Sequence, residues 1–361
     1  MKKTVLLFLA VYMALPLSAQ IQVRGKIAIP DLKGYVTLKC DFHTHTVFSD
    51  GTVWPTERID EAYREGLDAI AITDHIEYRP HKEDIIASHN RSYEIALPSA
   101  KSKGIILIKG SEITRPMPPG HHNAIFITDA EELDKPDYMD VFRAAQAQNA
   151  FIFWNHPGWD AQQPDTTLWM NEHTQLLQQG MMYGIEVVNS GEYYPEAHRW
   201  CLEKQLTMLG NSDVHQPMQT VIDFAAGKHR PMTLVFASSA TAEGIREALF
   251  ERRTAVYNDE YIIGEEKYLK ELFENALEWK VEKNDNAAYI TVKNKSDLTF
   301  HLKKNQHDAR LVYFREFTIV PQGEYTFTVR LQNGVKSGDV NFIVKNFLVQ
   351  PNEGMKYTVK I

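Results

Sequence analysis

Six blocks of histidine and acidic residues, each beside a short apolar segment, constrain the fold of this chain most. The blocks are Asp41-Phe42-His43-Thr44-His45 with Asp50, Thr73-Asp74-His75, Gly110-Ser111-Glu112, Gly120-His121-His122-Asn123, Asn155-His156-Pro157 and Asn211-Ser212-Asp213-Val214-His215. The carboxyl ends of parallel strands meet at one face of an α/β barrel, so polar residues placed there converge. The spacing therefore predicts a parallel α/β fold that gathers these side chains at one face.

Strand and helix patterns alternate along the first 250 residues and support this prediction. Apolar runs lie at residues 35–38, 69–72, 105–108, 124–127, 151–154, 184–188 and 207–209, and helical stretches separate them. Strands that alternate with helical crossovers favour a parallel sheet, and about seven such repeats favour closure into a barrel. All six blocks are then expected at the carboxyl-terminal face of the barrel.

After residue 250 the pattern changes to strict alternation of apolar and polar residues. The runs 288–292, 325–329 and 341–344 alternate in this way, and turn formers such as Asn333-Gly334 separate them. This pattern predicts a small antiparallel β-sandwich. We predict four parts: a signal peptide over residues 1–20, a barrel over 21–260, a linker helix over 261–278 and a β-sandwich over 279–361.

The amino terminus has the pattern of a secretory signal peptide. Lys2 and Lys3 precede the apolar run Val5–Met13, and small residues follow near Ala19. No other segment reaches the ~18 apolar residues of a membrane span. The formal charge of -8 argues against a general nucleic-acid binder. We expect an exported protein, periplasmic or secreted, without a membrane span.

The blocks carry more metal-binding groups than one ion can use. In an extended segment residues i and i+2 point to the same side, so His43 and His45 can bind one ion together. Six histidines and three carboxylates buried without cations would be costly. Nine nitrogen and oxygen donors suit two or three divalent ions of the zinc, manganese or iron type, since one zinc ion takes three or four protein ligands. The candidate ligands are His43, His45, Asp50, His75, Glu112, His121 or His122, His156, Asp213 and His215.

In this order, the blocks resemble those of the polymerase and histidinol phosphatase (PHP) family over about residues 36 to 255. The resemblance implies a distorted (β/α)7, TIM-like barrel that binds two or three metals and hydrolyses phosphate esters. It assigns ligands to three metals: His43, His45, Glu112 and Asp213 to the first; Glu112, the histidine of the fourth block and His156 to the second; Asp50, His75 and His215 to the third. Some members have Gly-His-x-Asn in the fourth block, which favours His121 and leaves His122 as the alternative.

The resemblance also implies a catalytic mechanism. The nucleophile would be a metal-bound hydroxide at the ions held by Glu112, Asp213 and His43. Arginine binds phosphate oxygens through its planar fork. The candidate substrate contacts are Arg79, Arg115 and Arg199. Two further acids, Asp41 and Asp74, are candidates for orienting the ligand imidazoles.

Several functions stay open from the residues alone. The chain resembles secreted bacterial phosphodiesterases of this family, and its export signal and two-domain form favour a small-molecule phosphodiester as substrate. The alternatives are a phosphomonoesterase of the histidinol phosphatase kind and a hydrolase of C–N or carboxyl-ester bonds. A non-enzymatic protein that binds glycans or a partner through the β-sandwich is the third alternative, and the complete ligand set argues against it.

Overall fold

The computed structural model describes residues 23–361. The predicted signal peptide over residues 1–20 lies outside the described residues. Among the residues that are described, no helix is both long and apolar enough to cross a membrane.

The barrel part contains strands and helices in alternation. Its strands are β1 (Val36–Asp41), β2 (Ala69–Ile72), β3 (Ile106–Ile113), β4 (His122–Ile125), β5 (Phe151–Trp154), β6 (Gly184–Asn189), β7 (Glu192–Tyr193), β8 (Thr207–Asn211), β9 (Met232–Ala237), β10 (Thr254–Asn258) and β11 (Tyr261–Gly264). Its helices are α1 (Pro55–Glu65), α2 (Arg91–Lys103), α3 (Tyr138–Ala147), α4 (Asn171–Gln178), α5 (Pro195–Lys204) and α6 (Ala242–Phe250). Each of the seven predicted strand segments overlaps one of these strands. Helices cover the sheet, so the short strands are buried on both faces and are continuously apolar, as in β2.

Strand β4 runs against both of its neighbours. Strands β1, β2 and β3 are parallel, as are β5, β6 and β8. Strand β4 lies antiparallel between β3 and β5. Its amino-terminal end therefore meets the carboxyl-terminal ends of the other strands. The fourth block opens its strand, as its place before the apolar run 124–127 indicates, and it reaches the common face because β4 is reversed.

Backbone hydrogen bonds close the barrel beside the first block. The amide of His45 donates to Val214 at 3.1 Å, and the amide of Asp213 donates to His43 at 2.9 Å. On the other side, the amide of Thr73 donates to Thr44 at 2.9 Å. Residues 43–45 are thus held extended between two neighbouring segments, which directs His43 and His45 to the same side.

The carboxyl-terminal part is all β and shares a sheet with the barrel. Helix α7 (Glu266–Ala276) leads into β12 (Leu277–Lys283), β13 (Ala287–Asn294), β14 (Phe300–Lys304), β15 (Leu311–Val312), β16 (Glu316–Ile319), β17 (Glu324–Leu331), β18 (Asp339–Gln350) and β19 (Glu353–Lys360). One layer has the order β12-β13-β17-β15, and the other contains β16, β14, β18 and β19. Strand β18 pairs in parallel with β11, with Ile262 opposite Phe347. The predicted linker region 261–278 therefore begins with a strand of this shared sheet, and Phe273 of α7 is fully buried against Phe300 and Phe347.

Candidate metal centre

The first block and two acids form a compact four-residue group. His43 Nε2 lies 3.1 Å from Asp213 Oδ1 and 3.4 Å from Glu112 Oε2. His45 Nε2 lies at the same two distances from the same two oxygens. Both imidazoles are fully buried. Four donor atoms of this kind at such separations can surround one divalent ion, as the resemblance implies for the first metal.

Glu112 connects this group to a second one. Its Oε2 faces His43 and His45, whereas its Oε1 lies 2.9 Å from His121 Nδ1 and 3.5 Å from His156 Nε2. Oε2 also lies 2.8 Å from His75 Nδ1, so the two oxygens of one carboxylate point to two separate groups of imidazoles. This is the arrangement that a bridging carboxylate requires.

A third group lies on the other side of His45. Asp50 Oδ1 is 3.2 Å from His215 Nε2 and 3.4 Å from His75 Nε2. The ring of His45 lies against those of both His75 and His215, with centroids 4.5 and 4.2 Å away. Every candidate ligand predicted from the sequence is thus gathered in one place.

The two adjacent histidines of the fourth block point in opposite directions. His121 faces Glu112, whereas His122 is fully buried in the core, where its Nδ1 contacts the carbonyl oxygen of Gly120 at 3.2 Å. Its ring lies 5.0 Å from that of Phe142 and 6.4 Å from that of Trp154. Alternation along β4 accounts for the opposite orientations, because successive side chains of a strand leave it on opposite faces.

Glu186 is a site residue that the sequence interpretation missed. Its fully buried Oε1 lies 2.9 Å from His43 Nδ1 and accepts a hydrogen bond from Asn211 at 2.9 Å. Its Oε2 accepts from the backbone amide of His156 at 2.8 Å and from Asn189 at 2.7 Å. Glu186 therefore fixes the ring of His43 with Nε2 toward the cluster and holds His156 at its positive φ of 28°. A glutamate in the otherwise apolar strand segment Gly184–Val188 was the available signal.

The two acids predicted to orient imidazoles bind other groups. Asp41 accepts from Ser212 Oγ at 2.6 Å and from Arg230 at 2.9 Å. Asp74 accepts from the amide of Thr46 at 2.7 Å and from Ser49 Oγ at 2.8 Å. Neither acid contacts an imidazole directly. Asp41 positions the backbone that carries the ligands, and Asp74 also acts through Ser49, whose Oγ lies 3.4 Å from His45 Nδ1.

The prediction that three arginines contact the substrate is corrected by where their side chains lie. Arg115 pairs with Glu77 at 2.8 Å and donates to two backbone carbonyls, so its fork is occupied. Arg79 donates to the carbonyl oxygen of Ala87. Arg199 is an exposed residue of α5 near Glu203. None of these arginines is among the residues that line the cavity at the cluster.

That cavity has a volume of about 600 Å³ and leads to the three groups of ligands. Its walls combine acidic, imidazole, amide, hydroxyl and aromatic side chains: Asp50, His75, Tyr78, Glu112, Thr114, His121, His156, Trp159, Asn189, Ser190, Glu192, Tyr194, Asp213, His215 and Gln216. Two aromatic rings at the cavity are half exposed, Tyr78 at 53% and Trp159 at 43%. No lysine or arginine is present among these lining residues.

The acids of the cluster keep their charge despite burial. Burial raises the pKa of Glu112, but the imidazoles of His75 and His43 counter this effect, so its pKa lies well below the usual value. Burial also raises the pKa of Asp213, and the imidazoles of His43 and His45 lower it to a net depression. The cluster therefore presents ionised carboxylates at neutral pH.

The imidazoles divide into protonated and neutral rings. Burial lowers the pKa of His75, but the carboxylates of Glu112 and Asp50 outweigh it and raise the pKa to about 10. Burial and the neighbouring charge of His75 lower the pKa of His45 to about 4. In the absence of a metal, protons on some rings offset the carboxylate charge. Because ligation requires neutral imidazoles, metal binding must release these protons.

The cluster fits a group of divalent cations. Several buried polar atoms lie near other ligand atoms without forming a hydrogen bond of regular geometry, namely His43 Nε2, His45 Nε2, Asp50 Oδ1, Glu112 Oε2 and His121 Nδ1. Leaving such atoms unpaired is costly, and each belongs to a candidate ligand. Three sets of these residues lie close enough to share an ion: His45, Asp50, His75 and His215; His43, His45 and Glu112; His75, Glu112 and His121.

Replacing Glu186 by glutamine tests the role of this residue in orienting His43. We expect the Glu186→Gln variant to bind zinc or manganese about 10- to 100-fold more weakly, because an amide neither fixes the tautomer of His43 nor raises its basicity as a carboxylate does. Competition with a chromogenic chelator measures the affinity, and thermal unfolding of the metal-free proteins shows whether the fold survives. The exposed Glu243 supplies the control, Glu243→Gln. Unchanged affinity in a folded Glu186→Gln variant would contradict the assigned role.

Comparisons with known proteins find matches to both the barrel part and the β-sandwich part of the chain. A family model described as a PHP domain matches residues 41–196, and one described as an Ig-like domain matches residues 276–360. A crystal structure from Bacteroides vulgatus is similar to this chain at 55% sequence identity and a TM-score of 0.93. It is described as a two-domain protein containing a predicted PHP-like metal-dependent phosphoesterase, and the match covers 94% of this chain and 99% of that one.

Two curated proteins share shorter regions. A 5'-3' exoribonuclease of Haemophilus influenzae is 40% identical over 79 residues, which are 22% of this chain and 24% of that protein. An uncharacterized protein of Methanocaldococcus jannaschii is 42% identical over 84 residues, which are 23% of this chain and 36% of that protein. The chain therefore matches well under two thirds of the length of either relative.

Proposed function

Since this chain belongs to the PHP family of metal-dependent phosphoesterases, we propose that it hydrolyses phosphodiesters of small molecules at the His, Asp and Glu cluster. The observation that carries the proposal is the cluster itself, in which Glu112 joins two pairs of imidazoles and Asp50 joins a third. We further propose that the protein acts outside the cytoplasm, in the periplasm or after secretion. The amino-terminal sequence pattern supports this location.

The cofactor is proposed to be two or three divalent ions of zinc, manganese or iron. When bound, such ions lower the pKa of a coordinated water and offset charge on the phosphate oxygens. His43, His45, Glu112 and Asp213 would hold one ion. Further ions would be held by Glu112, His121 and His156, and by Asp50, His75 and His215.

The protein's own residues position the ligands and shape the substrate cavity. Glu186 holds the ring of His43, and Asn155 donates to Glu112 Oε1 at 3.0 Å, which fixes that carboxylate plane. The half-exposed rings of Tyr78 and Trp159 offer apolar faces for the organic part of an ester. Burial of the ligands at the base of the cavity restricts water to the side from which substrate enters.

The lining of the cavity favours a diester over a monoester. A phosphate monoester carries one more negative charge than a diester near neutral pH, and a site for it gains from an added cation such as arginine. The lining residues of this cavity include neither lysine nor arginine, and three of its four acids are candidate metal ligands, whose charge bound ions would offset. A diester, with a single charge on phosphorus, needs no cation beyond those ions.

Hydrolysis of two chromogenic esters tests the proposal. We expect purified protein with added manganese or zinc to release p-nitrophenolate from bis(p-nitrophenyl) phosphate faster than from p-nitrophenyl phosphate. The His43→Ala variant should lose this release, because it removes a ligand of the first metal. Absorbance at the p-nitrophenolate band measures both rates. Faster release from the monoester would indicate a phosphatase. Release from neither ester, with metal content verified, would refute phosphoester hydrolysis and direct the search to C–N and carboxyl-ester bonds.

A further inference from the structure

A second cavity, of about 610 Å³, lies between the barrel and the β-sandwich. The barrel contributes Ser190 and Tyr193 from the region of β6 and β7, and Lys228 from the segment before β9. Tyr261, which follows the turn after β10, also lines the cavity. Strand β18 of the β-sandwich contributes Lys345. Pairing of β18 with β11 holds the two parts together beside the cavity.

The second cavity adjoins the catalytic one. Ser190 lines both cavities. Its hydroxyl donates to the carbonyl oxygen of Ser212 at 3.0 Å, and its amide donates to Asn211 at 3.1 Å. Because Ser212 immediately precedes the candidate ligand Asp213, the wall between the cavities is anchored to the metal centre. A substrate that is bound at the cluster and extends past Ser190 would therefore reach the second cavity.

The charge of the two cavities differs. The catalytic cavity has no lysine or arginine in its lining, whereas Lys228 and Lys345 line the second one. Lys228 makes no ion pair within residues 23–361, and Lys345 has only a distant pair with Glu316 at 3.9 Å. One acid, Asp259, also lines this cavity. In a chain with a formal charge of -8, two exposed amines beside the catalytic cavity form a local cationic site.

We propose that the second cavity is a subsite for an additional anionic group of the substrate, a phosphate that lies beyond the ester bond being cleaved. The proposal rests on the phosphodiesterase function proposed above and narrows its substrate class to diesters with a further phosphate. Lys228 and Lys345 bind that phosphate from the two parts of the chain, and the faces of Tyr193 and Tyr261 flank it. The β-sandwich thereby takes part in substrate selection.

A matched pair of substrates tests this subsite. Thymidine 5'-(p-nitrophenyl phosphate) and its 3'-phosphorylated form differ by one phosphate and release the same chromophore. We expect the parent protein to have a higher kcat/KM for the phosphorylated form. The Lys228→Ala/Lys345→Ala variant should lose about tenfold in kcat/KM on the phosphorylated form and less than about twofold on the other, since exposed ion pairs each contribute modestly. The loss should shrink at high salt.

A binding measurement makes the subsite test independent of hydrolysis. Calorimetry compares thymidine 3',5'-bisphosphate with thymidine 5'-monophosphate on the same metal-loaded proteins. We expect tighter binding of the bisphosphate by the parent protein and equal binding of both by the double variant. Lys280→Ala, an exposed lysine of β12 remote from the cavity, is the control and should behave as the parent. The subsite would be overturned if the parent protein bound both nucleotides equally well. It would also be overturned if the double variant lost the same factor of affinity for both nucleotides. If neither ester is hydrolysed but the parent protein still binds the bisphosphate more tightly than the monophosphate, only the phosphodiesterase function would be refuted.

Discussion

The Glu112→Gln variant is expected to lose about 10³-fold or more in kcat/KM for bis(p-nitrophenyl) phosphate, together with most of its bound metal. Glu112 is fully buried, and each of its oxygens faces a different group of imidazoles. An amide has one oxygen and one donor group, so it cannot serve both groups of imidazoles. It also removes the negative charge that holds the pKa of His75 at about 10.

Metal content by atomic spectrometry and hydrolysis rates on the same samples measure this effect. Glu243→Gln, on the exposed face of α6, is the matched control and should keep both metal and activity. Circular dichroism shows whether the Glu112→Gln protein is folded. A folded Glu112→Gln protein with the parent's metal content and rate would exclude Glu112 as the bridging ligand.

The Arg230→Met variant is expected to lower the free energy of unfolding by about 3–5 kcal/mol, because it leaves the buried Asp41 and the partly buried Glu65 without their counter-charge. The fully buried guanidinium of Arg230 binds Glu65 through two nitrogens, at 2.7 and 2.8 Å. A third nitrogen binds Asp41 at 2.9 Å. The carboxylate of Asp41 in turn accepts from Ser212 Oγ, so the same change loosens the strand end beside the metal ligands.

Urea unfolding followed by circular dichroism measures the effect on stability. The control is Arg143→Met, which breaks an exposed ion pair with Asp140 on α3 and should cost about 1 kcal/mol or less. Similar losses in the two variants would show that the buried network contributes no more than a surface pair. Metal-free samples are compared, so that ligand binding does not add to the measured stability.

Local patterns were enough to predict the strands and the gathering of the candidate ligands. The apolar run at residues 69–72 predicts β2 because a strand covered on both faces needs apolar residues throughout. Spacing of two residues places His43 and His45 on one side of an extended segment. Alternation over residues 325–329 likewise predicts β17, one face of which packs in the β-sandwich.

The roles of residues far apart in sequence were not predictable in this way. Glu186 contacts His43, which lies 143 positions earlier in the sequence. No local pattern predicts which imidazole a buried acid contacts. Arg115 was expected at the substrate because it follows Glu112 closely, yet its pairing with Glu77 and the carbonyl oxygens turns it away. Sequence proximity to a ligand does not determine the direction of a long side chain.

The sequence by itself determined which residue types stand at the strand ends, and therefore that this chain carries a cluster of nitrogen and oxygen ligands on an α/β barrel followed by a β-sandwich. Only the tertiary structure decided that β4 runs antiparallel, that His121 and not His122 faces Glu112, and that β18 joins the barrel sheet at β11. The physical reason is that periodicity and burial preference act over a few neighbouring residues. Strand direction, pairing partners and the target of a buried charge depend instead on which distant segments pack together.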